Sequence, residues 1–266
     1  MEYVVTALVF YVAIVALLYV IQRSLLYPPN QNIPAPVEFG VPEMTALRIP
    51  TDDGLALLAW WQAPHDVRRP TLLVFHGNAG HIGDRAHKVR EYLDQGYGVL
   101  LLSYRYNAQT GGAPSEANLF ADARTGVAFL RRQGVPDDRI VLFGESLGSG
   151  IAVAMAAEYP VGALVLEAPY SSMPDMAQHH YWYVPSRWLV KDKFDSMSRI
   201  GQVSVPTLVI HGGQDTVIPV KYGRRLFDAA SEPKQGHFLT KARHNDLLDH
   251  GMATLVIQFL TRYLED

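Results

Sequence analysis

Short, uniformly apolar runs alternate with segments of helical periodicity after residue 70, and this alternation constrains the fold more than any other feature. Strands that are apolar throughout need cover on both faces, and strands separated by helices form a mostly parallel sheet. The sequence therefore predicts an α/β fold with helices on both faces of the sheet. The predicted strands are residues 71–75, 98–104, 139–143, 163–167, 206–210 and, with a weaker pattern, 234–240. The predicted helices are residues 81–95, 118–133, 147–158, 221–230 and 250–263.

An antiparallel hairpin is predicted before the first of these strands. Residues 45–49 and 55–62 are both extended in character, and Asp53-Gly54 between them is typical of a tight hairpin turn. A hairpin at this place is compatible with a mixed edge on an otherwise parallel sheet. With 266 residues, the chain is long enough to bury a substantial core in one large domain.

Composition excludes several classes of protein. The net charge is −3 and no basic run is present, so the sequence predicts no nucleic-acid partner. The chain has no cysteine, which removes disulfides, thiolate metal ligands and a cysteine nucleophile together. His179 and His180 are adjacent, but neighbouring side chains point apart and no carboxylate spacing supports a metal site there. We therefore expect neither a metal nor a cofactor.

The N-terminal segment is long and apolar enough to cross a membrane. Residues 3–21 contain no charged side chain, and as a helix they would reach roughly 28 Å, close to the thickness of a bilayer core. Three structures are compatible with this segment: an uncleaved membrane anchor, a cleaved signal peptide, or a buried helix of a soluble domain. The anchor is favoured, because the segment lacks the basic start and small-residue exit of a signal peptide and the polar stripe of a soluble helix.

The sequence predicts three consecutive parts. Residues 1–27 form the transmembrane anchor, residues 28–44 form a linker punctuated by prolines, and residues 45–266 form the α/β domain. Arg23 directly follows the span, and positive charge favours the cytoplasmic side, so we expect the α/β domain in the cytoplasm. The sequence does not determine the oligomeric state.

Residues 171–195 interrupt the alternation with a long aromatic segment between two predicted strands, where a short connection would suffice. The segment is too rich in large apolar side chains for disorder, so we predict a lid-like insertion. Two roles remain open for its apolar residues, because lining an acyl-chain pocket and covering the sheet both require them. The candidates for substrate binding are Met173, Met176, Tyr181, Trp182 and Trp188.

The pentapeptide Gly144-Glu145-Ser146-Leu147-Gly148 lies between a predicted strand and a predicted helix. In this setting a G-x-S-x-G motif forms a sharp turn that carries a nucleophilic serine. The turn is strained, so close neighbours of the serine must lack a Cβ, and the helix N-terminus behind it favours developing negative charge. Ser146 is therefore the candidate nucleophile.

A serine nucleophile needs a histidine base and an acid that orients the histidine. After such a turn the acid comes next in the chain and the histidine comes last. Asp215 closely follows the strand predicted at 206–210, where functional side chains of α/β sheets gather, so it is the candidate acid. His237 falls inside the last predicted strand and His250 at the start of the last helix. His244 lies on the loop between them and can reach the turn, so it is the candidate base.

The candidate oxyanion hole lies where the strand predicted at 71–75 runs into His76-Gly77-Asn78-Ala79-Gly80. The small residues of this loop allow backbone N–H groups to face the site, and two such donors stabilise a developing oxyanion by several kcal/mol. The predicted donors are the N–H groups of Asn78 and Leu147. We interpret His76, at the strand end, as ordering this loop rather than acting as a base.

Four segments in this order resemble the α/β-hydrolase superfamily. They are HGNAG at 76–80, GESLG at 144–148, HGGQD at 211–215 and RHND at 243–246. A hydrophobic span followed by a stretch like the QRSLLYP of residues 22–28 is similar to the membrane-anchored serine hydrolase branch of that superfamily. The resemblance covers essentially the whole chain. It departs after residue 105, where relatives have a glycine-rich turn and this chain continues YNAQTGG.

The resemblance implies the α/β-hydrolase fold and carries over Ser146, Asp215 and His244 as a catalytic triad, with Asn78 and Leu147 as oxyanion donors. It includes esterases, lipases and protein depalmitoylases, so it does not settle the substrate. We predict a serine hydrolase that cleaves carboxylic esters of medium- or long-chain acyl groups, with acyl esters or membrane lipids as substrates. Two alternatives stay open: a thioesterase or peptidase with the same triad, and a non-catalytic, membrane-bound binding module with this fold.

Overall fold

A computed structural model describes residues 1–265 of the chain. Its centre is an eight-stranded sheet in the order β1-β2-β4-β3-β5-β6-β7-β8. The hairpin β1–β2 is antiparallel to its neighbour β4, and all strands from β3 onward run parallel, which confirms the predicted α/β fold and its mixed edge. The strands are β1 Thr45–Pro50, β2 Ala56–Gln62, β3 Thr71–Phe75, β4 Gly98–Leu102, β5 Ile140–Glu145, β6 Ala163–Glu167, β7 Thr207–Gly212 and β8 Lys234–Leu239.

Helices cover both faces of the sheet because the central parallel strands are apolar on both faces. In β3, Leu73 and Phe75 pack with α3 and α4, whereas Leu72 and Val74 pack with α2 and α9 on the opposite face. Every residue of β3 is buried, as expected for a strand enclosed between two helical layers. The helices are α1 Glu2–Leu26, α2 Ala86–Asp94, α3 Glu116–Arg132, α4 Leu147–Glu158, α5 Met173–His180, α6 Ser186–Leu189, α7 Met197–Ile200, α8 Val220–Ala229 and α9 Met252–Leu260.

Helix α1 stands apart from the core. It has a mean hydropathy of 2.8 over its most apolar window, and none of its residues is buried. A helix this apolar and this exposed is not the buried helix of a soluble domain, so the membrane anchor and the signal sequence are the two alternatives that fit α1. The helix also continues beyond the predicted span, as far as Leu26.

The segment after α1, which includes the predicted linker of residues 28–44, packs on the domain. Tyr27, which we assigned to the anchor, is only 2% exposed and joins the main core beside the ring of Tyr106. Val41 and Met44 are buried in the other core layer. Apolar residues in this segment therefore fasten the end of α1 to the sheet, which proline spacing alone does not reveal.

The lid segment, defined as residues 171–195, contains the short helices α5 and α6 and lies against α1. Arg23 of α1 makes a bidentate ion pair with Asp192 of the lid segment, with N–O distances of 2.8 and 2.9 Å. The hydroxyl of Tyr11 donates to the carbonyl of Tyr183 over 2.9 Å. The lid segment thus connects the N-terminal helix to the domain.

Candidate active site

Ser146 lies at the tip of the turn between β5 and α4, as predicted from the pentapeptide. Its φ of 51° and ψ of −115° are unfavourable for a residue with a Cβ, so the turn is strained. The glycines on either side are required by contact: a Cβ on Gly148 would come within 2.0 Å of the Phe75 carbonyl oxygen, and one on Gly144 within 2.6 Å of the Gly148 carbonyl oxygen. The tight approach of β3, β5 and α4 therefore depends on both glycines.

The three residues of the candidate triad meet although they come from distant parts of the chain. His244 Nε2 lies 3.1 Å from Ser146 Oγ, and His244 Nδ1 lies 2.7 Å from Asp215 Oδ2. Because a carboxylate only accepts, Nδ1 carries the proton and Nε2 presents its lone pair to the serine hydroxyl. This arrangement allows His244 to take a proton from Ser146 and Asp215 to stabilise the charged imidazole that results.

Asp215 is held by four donors. Its Oδ1 accepts from the backbone N–H groups of Val217 and Ile218, each at 2.8 Å, while Oδ2 accepts from His244. His211 Nε2 lies 3.3 Å from the same Oδ2. Burial opposes ionisation of Asp215, yet the hydrogen bonds from His211 and His244 hold its pKa below the ordinary value for an aspartate. The acid therefore stays ionised and fixed in orientation.

His211 supports the candidate acid, although the sequence analysis assigned it no role. Its ring is fully buried, and Nε2 also donates to the carbonyl of Ile218 over 2.8 Å. It therefore braces the loop that carries Asp215 as well as the carboxylate itself. The signal available in the sequence was the position of His211 near the end of β7, four residues before the acid.

A cluster of buried charges lies directly beneath the turn. Glu145 accepts from Arg85 over 3.0 and 3.2 Å, and Lys88 bridges Glu145 to Glu167 with distances of 3.4 and 2.6 Å. Burial disfavours the charged form of Glu145, but Lys88 and Arg85 outweigh it and lower the pKa of Glu145 to about 2. The backbone N–H of Ser146 in turn donates to the carbonyl of Glu167 over 2.9 Å. Ion pairs thus fix Glu145, which directly precedes Ser146, and Glu167, whose carbonyl accepts from Ser146. The sequence analysis did not predict this contribution.

The loop of the predicted oxyanion hole is ordered by its neighbours. His76 is buried and its Nδ1 lies 2.6 Å from the Gly77 carbonyl oxygen; burial, followed by the charge of Arg85, lowers the pKa of His76 to about 3. A neutral, enclosed ring fits the ordering role that we assigned to it. The Tyr106 hydroxyl donates to the Asn78 carbonyl over 3.1 Å, so the segment where the chain departs from its relatives supports this loop.

The two predicted oxyanion donors occupy suitable places. Leu147 is the first residue of α4, where backbone N–H groups have no partner within the helix. Asn78 lies in the loop after β3, beside the turn, and its side-chain amide donates to the carbonyl of Leu26 at the end of α1 over 3.2 Å. The contact between Asn78 and α1 was not predicted.

An apolar groove of about 250 Å³ runs between α1 and the lid segment. Met173, Met176 and Tyr181, which we named as substrate-binding candidates, lie in its walls. Trp182 and Trp188 do not: their side chains are 77% and 86% exposed on the outside of the lid segment, so the expectation that they line a pocket does not fit their positions. Ser146 and His244 are not among the groove residues either, so the groove adjoins the site without containing it.

Within residues 1–265, no group of three or more histidine, aspartate or glutamate side chains is placed to hold a metal ion. His179 and His180 stack edge to face, with ring centroids 5.0 Å apart, and His180 Nε2 donates to the carbonyl of Val217 over 2.9 Å. The second histidine therefore connects the lid segment to the loop that carries Asp215.

Known proteins that are similar to this chain in sequence or structure include members of the alpha/beta hydrolases. A family model described as the alpha/beta hydrolase fold matches residues 70–196. An uncharacterized protein of Mycobacterium tuberculosis is 40% identical over 219 residues, covering 80% of this chain and 78% of that protein. The lysophosphatidylserine lipase ABHD12 of Danio rerio is 30% identical over 67% of this chain and 52% of its own length. Among solved structures, the Pyrococcus furiosus esterase Pf2001 superposes with a TM-score of 0.72 at 19% identity, covering 90% of this chain and 99% of that one.

Proposed function

The chain belongs to the alpha/beta hydrolase family, and from that premise we propose that it is a serine hydrolase that cleaves carboxylic esters of medium- or long-chain acyl groups through an acyl-enzyme. The observation that carries the proposal is the unbroken hydrogen-bonded series from Asp215 through His244 to Ser146, with the serine at a strained turn. A serine that only capped a helix would need neither the strain nor the ordered base and acid.

The proposed reaction begins with attack of Ser146 Oγ on the ester carbonyl while His244 Nε2 takes the hydroxyl proton. The C–O bond to the alcohol breaks as the tetrahedral intermediate collapses, and His244 returns the proton to the leaving alcohol. Water, deprotonated by His244, then attacks the acyl-serine, and the acid is released when the proton passes back to Ser146. The N–H groups of Leu147 and Asn78 hold the oxyanion in both steps.

The acyl preference rests on two observations. The groove beside the site is lined by apolar side chains from α1 and the lid segment, which suits a hydrocarbon chain. A relative bears the name lysophosphatidylserine lipase and a structural neighbour the name esterase. The lipase name supports a lipid ester, but this chain spans only about half of that relative.

A fluorophosphonate probe tests the nucleophile. We expect the full-length protein in detergent to be labelled covalently, and Ser146→Ala to abolish labelling. Ser198→Ala is the control, because the hydroxyl of Ser198 contacts only the local backbone of Asp195. Labelling that persists in folded Ser146→Ala would overturn the assignment.

Substrate assays separate the alternatives. Hydrolysis of p-nitrophenyl esters of different chain lengths, acyl thioesters and aminoacyl substrates should show the ester series turned over fastest and the rate falling in Ser146→Ala. Faster cleavage of the thioester or of the aminoacyl substrate would favour a thioesterase or a peptidase. Absence of both labelling and turnover would favour the non-catalytic binding module.

We further propose that α1 is an uncleaved anchor and that the domain faces the cytoplasm. The absence of a basic start supports the anchor, and Arg23 at the end of the span supports the orientation. Protease treatment of intact cells should leave the domain uncut; its digestion without cell lysis would reverse the orientation.

A further inference from the structure

We propose that the groove between α1 and the lid segment is the acyl-chain site, and that the membrane anchor itself forms one wall of it. The occupant is the hydrocarbon chain of a membrane-resident ester, which enters sideways from the bilayer. This inference rests on the proposed function and goes further by assigning a binding role to a helix that would otherwise serve only as a tether.

The walls of the groove come from two parts of the chain that are far apart in sequence. More than half of their side chains are aliphatic or thioether groups, and the volume of about 250 Å³ lies just below the usual range for small-molecule pockets. Unbranched methionine side chains adapt to a flexible ligand better than branched ones do. The main apolar contributors are Val15, Leu18 and Leu26 from α1 and Met173, Met176 and Val184 from the lid segment.

Residues in both walls of the groove touch the loops that carry Asn78 and Asp215. Leu26, in one wall, accepts a hydrogen bond from the side chain of Asn78, the predicted oxyanion residue. His180, in the other wall, donates to Val217, whose N–H donates to Asp215. An acyl chain that lies in the groove therefore approaches Ser146 between the loop of Asn78 and the loop of Asp215, where its ester group must be placed for attack.

Polar contacts hold the two walls in a fixed relation. The Gln22 side chain donates to the carbonyl of Leu189 over 3.3 Å and accepts from the N–H of Lys191 over 2.8 Å, next to the Arg23–Asp192 ion pair. The groove is therefore built into the fold by specific contacts and is not a gap left by loose apposition.

The exposed aromatic side chains of the lid segment indicate where the mouth of the groove lies. Trp182 and Trp188 are almost fully exposed, beside the half-exposed Tyr183, on the same side of the domain as α1. Amphipathic aromatic rings concentrate at the boundary between lipid and water. With α1 across the bilayer, Tyr11 lies inside the predicted span of residues 3–21, and its bond to Tyr183 places this edge of the lid segment against lipid, so an acyl chain can enter the groove without crossing water.

Two neighbouring leucines of α1 provide a matched test. Leu18 lines the groove, whereas Leu17 is 58% exposed and lies outside it. Leu18→Trp fills the groove, and Leu17→Trp makes the same chemical change on the same helix. The assay measures kcat/KM on p-nitrophenyl esters from acetate to palmitate, with full-length protein in detergent.

We expect kcat/KM of the wild type and of Leu17→Trp to rise with chain length, by up to about fourfold per buried methylene. Leu18→Trp should lose the rise beyond butyrate that Leu17→Trp keeps, because only the long chains need the groove. If Leu18→Trp follows the wild type at every length, or loses activity equally at every length, the groove is not the acyl site, although ester hydrolysis stands.

A second measurement does not depend on turnover. A diazirine-bearing palmitate analogue is bound to Ser146→Ala, photolysed, and the labelled peptides are identified. We expect labels in α1 and α5, competition by palmitate, and at least tenfold less labelling when Leu18→Trp is added but not when Leu17→Trp is added. Labelling confined to other regions would overturn the acyl site even if the esterase assay succeeds. If the wild type has no esterase activity but the groove of Ser146→Ala is still labelled, the proposed function is overturned and the acyl site is not.

Discussion

Replacing Asp215 by asparagine perturbs the candidate triad by one atom, and the structure allows the consequence to be traced. Oδ1 receives two backbone N–H groups, from Val217 and Ile218, so the amide oxygen of the asparagine must take that position. The amide NH2 then replaces Oδ2, where it faces the N–H donors of His244 and His211. Donor now opposes donor at both histidines.

The simplest relief is a change of tautomer in His244. If Nδ1 gives up its proton and accepts from the asparagine, Nε2 carries the proton and faces Ser146 Oγ without a lone pair. The ring can no longer serve as base. A tautomer error of this kind lowers kcat by about 10⁴ in serine hydrolases, which corresponds to about 5 kcal/mol in the barrier.

Esterase kinetics on a short-chain p-nitrophenyl ester, with the rate of fluorophosphonate labelling, measure this effect. Asp228→Asn is the control, because Asp228 is an exposed aspartate near the C-terminal end of α8. We also expect a fall in melting temperature, since an unmatched buried donor costs about 1–3 kcal/mol. A folded Asp215→Asn protein that keeps more than a tenth of the wild-type kcat would refute the role given to Asp215.

Two further predictions concern the residues that support the site. His211→Phe removes one donor from Asp215. It should lower kcat about tenfold with little change in KM, because three donors to Asp215 remain. Equal losses of kcat in His211→Phe and in the control His237→Phe would contradict the role given to His211. Glu145 has a folded-state pKa of about 2, below its ordinary value, so its charge stabilises the fold above pH about 4.5 and that contribution is lost as pH falls toward 2. Glu145→Gln should therefore lower the melting temperature at pH 7 and approach the wild type at pH 3, and a constant difference across this range would count against the charge cluster.

Much of the central fold follows from local pattern. The strands β3 and β6 and the helix α4 match their predicted residues, because each is mostly apolar and has glycine, proline or polar residues at or beside its ends. The helix predicted at 81–95 instead begins with a 3-10 turn, Ile82–Arg85, before α2. Gly83 of this turn lies so close to Phe39 that a Cβ would come within 2.9 Å of its ring, a contact that a local pattern does not reveal.

The candidate triad was accessible to sequence reasoning because its chemistry restricts residue types and chain order. A serine between glycines, an acid after a later strand and a histidine after the last strand leave few choices once parallel strands bring their carboxyl ends together. The support of those residues was less accessible. Arg85 and Lys88 lie far before Glu145 in sequence, and their pairing depends on how α2 packs against the sheet.

The sequence by itself determined the fold class, the order of the candidate catalytic residues and the presence of a helix long and apolar enough to cross a membrane. Only the tertiary structure decided that this helix runs along the lid segment, that Arg23 is paired with Asp192, and that Leu26 touches Asn78. It also moved Trp182 and Trp188 from the pocket to the surface. The physical reason is that local periodicity records which faces are apolar, whereas the partner of each face is chosen by packing between segments that are far apart in the chain.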